Sequence, residues 1–559
     1  MMREAEVPVT FLPAGRTVYV LAGTRIIEAA AEAGIILDSP CGGEGICGKC
    51  RVKMETPAGE PTAAEEQSFS PAEIRRGFRL ACQSQVRGPA TVLVPDASLL
   101  TAKHQILVRT EKIASEPDEK SADRLIDFPQ GDTTAEKFAV AVDVGTTTLA
   151  ALLLDLSAAS DRAVASRLNP QTRFGDDVLS RILFARENPQ GLQILHEAII
   201  SAINEMIGEL CAQAGIEREK IYVLAFSGNT AMQHLLCRVD ASSLGSAPFV
   251  PASDFGLSLS AGELGLRVHP RARAYVFPII GGFVGGDTVA GILATELTNV
   301  PGPALLVDIG TNGEIVLWAR GKLTAASTAA GPAFEGARIS CGMRGSSGAI
   351  EKVIVDGRLR INVIGNAAPA GLCGSGLIDV AAELLRHKVL SPQGKLLNPD
   401  QLPEGVLPDL RERIVLHGGK VAFLLVSEKE SATGKALVLT QRDFRELQLA
   451  TGAIRAGIGI LLKCAGLKPQ DLQEVFIAGG FGNFIRRSNA QRIGLLPDQI
   501  EHHRIYYRGN TSLAGARLAA LSLRARRLAE DIARRTEHVD LSTDPDFQEA
   551  FAEAMIFPE

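Results

Sequence analysis

Apolar and polar positions alternate in short, interrupted runs over the first hundred residues and in long, repeated runs after residue 138. In the first region Val7 to Phe11 and Thr17 to Leu21 read as two strands around a Pro-Ala-Gly turn. Arg25 to Ala33 reads as a short helix, and Ala90 to Val94 as a closing strand. Ser115 to Lys137 is charged, poor in aromatics and contains two prolines, the composition of a linker. From Phe138 onward apolar strands alternate with long helical patterns, which predicts an α/β region. Ser512 to Arg535 reads as one long Ala/Leu/Arg helix, and the acidic final twenty residues either dock or fray. Tyr275 to Leu297 is apolar enough to raise the question of a membrane span. It is Gly-rich and carries Asp287 near its middle, which is costly in lipid, so a buried strand, a glycine turn and a helix are expected.

The α/β region contains one internal repeat. AVAVDVGTTTLAALLLD (Ala139 to Asp155) lies over ALLVDIGTNGEIVLWAR (Ala304 to Arg320), matching Asp143 with Asp308, Gly145 with Gly310 and Thr146 with Thr311. Each copy is a strand, a DxGT turn and a second strand, followed by a third strand at Arg162 to Leu168 or Lys322 to Thr328. The wide spacing predicts a duplicated domain and not a solenoid, whose repeats run to roughly 20 to 50 residues. A chain of 559 residues is too long for a single core and suggests three or four domains.

Net charge is −6, so the basic surplus expected of a nucleic-acid binder is missing, and a small molecule or another protein is the expected partner. The N-terminal stretch MMREAEVPVTFLPAGRTV lacks the apolar core and cleavage site of a signal peptide. A cytoplasmic, reducing location is therefore expected, where clustered cysteines point to metal or redox chemistry more than to disulfides.

Three of those cysteines stand in CGGEGICGKC, as Cys41-x5-Cys47-x2-Cys50, with Cys82 following after 31 residues. Gly42, Gly43, Gly45 and Gly48 suit a tight loop whose N–H groups turn toward metal-bound sulfurs. A [2Fe–2S] cluster fits four thiolates spaced this way. A zinc site is the alternative, although structural zinc more often uses two CxxC pairs or CxxC with paired histidines. The region resembles a β-grasp ferredoxin domain, with RLACQ around Cys82 as its fourth-ligand segment. Cys211, Cys237, Cys341, Cys373 and Cys464 are expected to be buried structural thiols. His234, on a predicted helix, is expected to be a packed or capping residue.

In both DxGT turns a carboxylate emerges at a strand end, and glycine lets the backbone approach a phosphate. Two such carboxylates across a cleft could hold Mg²⁺ through waters. An Asn-Gly hairpin turn would explain TNGE equally well. Further along, VFIAGGFG (Val475 to Gly482) reads as a buried strand ending in a glycine turn. GNTSLAGA (Gly509 to Ala516) opens the last helix with residues small enough for close packing. GGFVGGD, AGPAFEG and AGLCGSG are either cleft walls or plain structural turns. No P-loop is present.

Taken in order, these motifs resemble the acetate-kinase/sugar-kinase/Hsp70/actin superfamily over about residues 136 to 530. Joined to a ferredoxin domain, they resemble the reductive activators of corrinoid enzymes and proteins. The resemblance implies a multidomain α+β and α/β fold. Its parts are a β-grasp ferredoxin domain (1–100), a linker (101–136), the two halves of an actin-like, RNase H-like ATPase (137–300 and 301–540) and an acidic tail (541–559). It implies a [2Fe–2S] cluster on Cys41, Cys47, Cys50 and Cys82. Asp143 and Asp308 would be the catalytic carboxylates, with ATP and Mg²⁺ contacted by Gly145, Thr146, Thr147, Thr148, Gly310, Thr311 and Asn312. Gly479, Gly480 and Gly482 would flank adenosine. The implied activity is ATP-dependent, one-electron return of a Co(II) corrinoid protein of a methyltransferase system to Co(I). The implied donor is a reduced ferredoxin or flavodoxin, and the implied assembly is a homodimer that binds neither nucleic acid nor membrane. A redox-sensing small-molecule kinase and a nucleotide-gated iron–sulfur scaffold remain alternatives at this stage.

Overall fold

A computed structural model describes residues 6–33, 35, 37, 50–95, 98, 136–175, 177–336, 338–479 and 485–558. Cys41, Cys47, Gly480, Gly482 and nearly all of the expected linker lie outside these residues.

The N-terminal region is a five-stranded sheet of β1 (Val7–Leu12), β2 (Arg16–Val20), β3 (Arg51–Met54), β4 (Phe78–Leu80) and β5 (Ala90–Leu93), in the order β2-β1-β5-β3-β4. Alternation along β1 and β2 sends Val9, Phe11, Val18 and Val20 inward, where they meet Ile26, Ala29 and Ala30 of helix α1 (Ile26–Glu32). The last strand does not close an edge. It inserts between β1 and β3, parallel to the first and antiparallel to the second.

The α/β region carries two six-stranded sheets. The first joins β6 (Phe138–Val144), β7 (Thr148–Asp155), β8 (Ser160–Leu168), β9 (Ile221–Gly228), β10 (Leu257–Ser260) and β11 (Arg273–Val276), in the order β10-β11-β9-β6-β7-β8. In the second half come β12 (Ala304–Ile309), β13 (Gly313–Ala319) and β14 (Lys322–Thr328). Next is an insert built on β15 (Ala349–Asp356), β16 (Arg358–Val363) and β17 (Gly371–Leu372), with a second small sheet of β18 (Ile414–His417), β19 (Lys420–Val426) and β20 (Leu437–Thr440). Then β21 (Glu474–Ala478), β22 (Ile505–Gly509) and β23 (Thr536–His538) complete the order β22-β21-β12-β13-β14-β23. β6, β9 and β12 are apolar and buried on both faces, as strands covered by helices on either side must be.

Helix α2 (Gly191–Ala214) covers the outer face of the first sheet. Between the sheets lie α3 (Gly286–Thr295) and α7 (Thr511–Leu521), packed so closely that a Cβ on Gly515 would collide with Ala290. This is the close helix contact expected of GNTSLAGA. Helix α4 (Gly374–Arg386) packs on β15, and α5 (Gln441–Ala465) covers β13 and β14. A short helix α6 (Arg487–Arg492) follows β21.

Two expectations need correction. The stretch Ser512 to Arg535 is two helices, α7 and α8 (Leu523–Arg535), because Ser522 is extended and its side chain caps Ala525 N. Cys464 is exposed, while Cys237 and Cys341 are only partly buried. Of the two outcomes left open for the acidic tail, the structure shows docking: α9 (Phe547–Ala554) lies on α5, where Gln448 Nε2 donates to Met555 O at 2.7 Å, and just ahead of the tail β23 pairs parallel to β14. The apolar stretch Tyr275 to Leu297 is the end of a strand, a glycine turn and α3, as expected. Among the described residues one helix, α5, is long and apolar enough to cross a membrane, and most of it is buried in this core.

The N-terminal domain is seated on the insert of the second half. Arg16 Nη1 meets Glu351 Oε1 at 2.8 Å, both side chains nearly fully buried. Ser488 Oγ donates to Glu6 Oε2 at 2.7 Å, and the Arg486 guanidinium stacks over Tyr19 at 4.5 Å.

Candidate functional site

The two sheets open onto a shared cleft lined by both DxGT turns. Each turn is closed by its own backbone: Gly145 N donates to Thr148 O (3.1 Å) and Gly310 N to Asn312 O (2.9 Å). The first turn is also braced from beneath. Asn169 Nδ2 donates to Gly145 O (2.9 Å), Arg181 Nη2 to Thr146 O (2.6 Å) and Asn229 Nδ2 to Thr146 Oγ1 (2.8 Å). Arg181 is fully buried, so these bonds settle a charge that would otherwise be costly. In the second turn Thr311 Oγ1 donates to Glu335 Oε1, and Gly331 N to Thr311 O at 2.9 Å.

Asp143 and Asp308 stand at the ends of β6 and β12, and the first turn of α7 reaches both. Ser512 Oγ donates to Asp143 Oδ1 (2.7 Å) and Asn510 Nδ2 to Asp143 Oδ2 (2.8 Å). Thr511 Oγ1 approaches Asp308 Oδ2 at 3.5 Å. The sequence reading gave GNTS a packing role only; its polar residues also hold the two carboxylates.

Two more acids join them in the wall, which Glu335 and Glu351 also line. Asp287 opens α3, and Glu314 lies opposite Asp308 in the β12–β13 ladder. Neither was assigned a role from sequence. Asp287 stood in a glycine-rich stretch ahead of a helix, and the repeat marked the position of Glu314 without giving it an acidic counterpart. Burial pushes Asp308 up to about 7, with Asp287 and Asp143 adding repulsion. Burial also pushes Asp287 up to about 7, and Glu314 well above the usual carboxylate range. Asp143 rises by burial too, but the Ser512 and Asn510 hydrogen bonds favour its charged form. Arg344 is the only cationic side chain among the described residues lining the cleft. Asp143, Asp287 and Asp308 are partly exposed in the cleft and Glu314 is buried; carboxylates gathered beside one cationic side chain could hold a divalent cation such as Mg²⁺ through its waters.

The remaining nucleotide candidates also reach the cleft. Thr146, Thr147, Thr148, Thr311 and Asn312 line it with Gly145, Gly310 and Gly479. Gly479 has φ +107°, and a Cβ there would collide with Ile309 O, so the strand end admits no other residue without strain. GGFVGGD contributes Asp287, AGPAFEG contributes Phe334 and Glu335, and AGLCGSG contributes Cys373 and Gly374, so all three stretches reach the wall. His234 is a packed helix residue: its Nδ1 pairs with Thr230 O (2.7 Å) and its Nε2 accepts from Ala252 N (3.1 Å).

In the N-terminal domain Cys50 and Cys82 are both buried, at 1% exposure each, and flank one end of the β3–β4 ladder. Ala81 N donates to Cys50 O at 2.9 Å, which brings the two cysteines to neighbouring strands. Gln83 Nε2 lies 3.7 Å from Cys82 Sγ. Two buried thiols at one end of the same ladder fit two of the four cysteine ligands that the sequence offers; Cys41 and Cys47 lie outside the described residues.

Comparison with known proteins extends this picture over the whole chain. Residues 9–87 match the 2Fe-2S iron-sulfur cluster binding domain, 138–300 the RACo middle region, and 302–559 the C-terminal domain of RACo, the ASKHA domain. The corrinoid activation enzyme RamQ of Eubacterium limosum is 34% identical over 574 residues, covering 94% of this chain and 95% of its own. The [Co(II) methylated amine-specific corrinoid protein] reductase of Methanosarcina barkeri is 27% identical over 413 residues, covering 68% of this chain and 69% of its own. The solved structure of a reductive activator for corrinoid, iron–sulfur protein superposes with a TM-score of 0.71 at 31% identity, covering 99% of each chain.

Proposed function

The chain belongs to the RACo family of reductive activators, and from that premise we propose that it returns an inactive Co(II) corrinoid protein to Co(I) with ATP consumed in the cleft. The observation that carries this reading is the end-to-end likeness to RamQ, which takes in the cysteine domain and both halves of the cleft together.

Cys41, Cys47, Cys50 and Cys82 are the residues that would hold a [2Fe–2S] cluster, which when bound supplies electrons one at a time. The corrinoid substrate gains one electron, and a reduced ferredoxin or flavodoxin restores it to the protein. In the cleft, Asp143 and Asp308 with Asp287 and Glu314 would orient the waters of Mg²⁺. The DxGT hydroxyls and N–H groups would bind the phosphates of ATP, and Gly479, Gly480 and Gly482 would lie against adenosine. Asn510 and Ser512 hold Asp143, and Thr511 approaches Asp308, so one helix start contacts both principal carboxylates. Closure of the two halves on ATP gives a physical route for coupling, because a nucleotide that binds one conformation more tightly shifts the chain toward it. A homodimer in the cytoplasm completes the proposal.

Two measurements test it. Reduced protein is mixed with candidate corrinoid proteins, and the electron-paramagnetic-resonance signal of Co(II) is followed with and without Mg·ATP. The signal should disappear with ATP and persist without it; equal loss in both would remove ATP from the reaction. Cys82→Ser should abolish the visible absorption of the reconstituted protein and leave ATP binding in place.

A further inference from the structure

The cleft is acidic with one exception. Asp143, Asp287, Asp308, Glu314, Glu335 and Glu351 line it, and among the described residues Arg344 is the one cationic side chain beside them. Several of the acids have partners of their own: Glu335 accepts from Thr311 Oγ1, Glu351 pairs with Arg16, and Asp143 accepts from Asn510 and Ser512. None of them takes Arg344. Its side chain is exposed, and its guanidinium makes no hydrogen bond, ion pair or ring contact. An arginine among acids ordinarily binds one of them, because its planar fork matches a carboxylate.

The backbone that carries this free cation is pinned on both sides. Met343 N donates to Leu372 O (2.9 Å) and Leu372 N to Cys341 O (2.8 Å), so residues 341–343 lie beside β17 as a short parallel strand. A Cβ on Gly336 would collide with Met343 O, and one on Gly371 would lie 2.8 Å from Met343 Cγ, so neighbouring chain closes directly on Met343. Past Arg344, Ser346 N donates to Arg344 O (2.8 Å) and Gly348 N to Ile364 O (3.0 Å). A backbone fixed in advance leaves only the side chain to be ordered by a ligand, which lowers the entropy lost on binding.

We propose that Arg344 binds the polyphosphate of ATP. The hydroxyls and N–H groups of the DxGT turns are neutral donors, no lysine lines the cleft among the described residues, and the sequence has no P-loop lysine. A polyphosphate entering past so many carboxylates is repelled, and Mg²⁺ offsets only part of its charge. Arg344 supplies protein charge of the right sign, and its fork grips two phosphate oxygens at once. It thereby makes the cleft favour a nucleotide over the bare nucleoside. The proposal rests on the reading of the cleft as an ATP site and adds the residue that meets the phosphates.

The test uses the full-length protein with its cluster reconstituted. Mg·ATP affinity is measured by calorimetry, and adenosine affinity by competition against it. Arg344→Gln should weaken Mg·ATP about ten-fold or more, the worth of one hydrogen bond to a charged group, and leave adenosine within about two-fold. Arg344→Lys keeps the charge and loses the fork, so its affinity should fall between those of the unmodified chain and the Gln variant. Arg344→Glu adds a further anion and should bind Mg·ATP more weakly than Arg344→Gln. Because the side chain is exposed, all three should melt within about 2 °C of the unmodified chain. Unchanged Mg·ATP affinity in Arg344→Gln, or an equal loss for adenosine, overturns the role of Arg344 alone. So does a ranking that ignores charge, with the Gln and Glu variants alike and the Lys variant no better. Failure of the unmodified chain to bind Mg·ATP overturns both this role and the reading beneath it.

Discussion

The two halves of the α/β region share a backbone plan and differ in what they place at its focus. β9-β6-β7-β8 and β21-β12-β13-β14 run in the same order with the same directions. β9 ends in, and β21 is followed by, a glycine pressed on a carbonyl of the DxGT strand: Gly228 against Val144 O, Gly479 against Ile309 O. The chemistry is not duplicated. Asp143 receives two good hydrogen bonds, whereas Asp308 has one long one and faces Glu314 in register. The residue matching Glu314 in the first repeat is Leu149. Like charges directly opposite in a ladder are unfavourable, so the second half stores electrostatic strain that a cation would relieve. Duplication therefore kept the scaffold that sets the geometry, while the second half carries an acid, Glu314, where the first has Leu149.

The asymmetry should show most strongly in turnover. Under the proposed reading Asp308→Ala should lower Mg·ATP hydrolysis about 100-fold or more, because a charge that would position the metal is lost. Ser512→Ala removes one of two donors to Asp143 and should cost about ten-fold, the worth of one hydrogen bond to a charged group. Equal losses in steady-state assays would break the distinction between the halves.

Stability offers a finer contrast. Gly479→Ala meets both a backbone clash and a left-handed φ, and should destabilise by about 2–4 kcal/mol. Gly228→Ala meets only the clash, at 2.7 Å from Val144 O, and should cost about 1–3 kcal/mol. Denaturant titration of the two variants compares them directly.

The smallest effect is a pH dependence. Asp308 and Asp287 rise to about 7 in the folded chain, above the value of about 3.9 for an unfolded aspartate. The native state therefore binds more protons over that interval, and its stability falls as pH rises toward 7. The melting temperature of the nucleotide-free protein should drop by a few degrees between about pH 5 and 8. Asp308→Asn should flatten that slope and raise the melting temperature at the alkaline end.

Much of this was legible in the chain. The repeat located both carboxylates, because a strand followed by DxGT forces Asp143 and Asp308 to equivalent strand ends. The glycine of AGGFG was identified from the apolar run before it, and its φ of +107° supplies the reason for glycine. The break at Ser522 was missed because Ala, Leu and Arg on both sides carry strong helix propensity, while the cap depends on one side chain turning back to Ala525 N. The tail was left open between docking and fraying, since its seat on α5 joins residues about a hundred positions apart, as Gln448 and Met555 are.

By itself the sequence determined the parts: a cysteine-bearing region of short strands and a helix, a duplicated strand-turn-strand unit and a small-residue helix, each written in local periodicity and turn chemistry. Only the tertiary structure decided that Asn510, Thr511 and Ser512 hold Asp143 and Asp308, that Asp287 and Glu314 join them, and that Arg16 reaches Glu351. These contacts span from tens to hundreds of residues. Their energy comes from burial and from charges brought together in a low-dielectric cleft, and neither exists until the chain has folded.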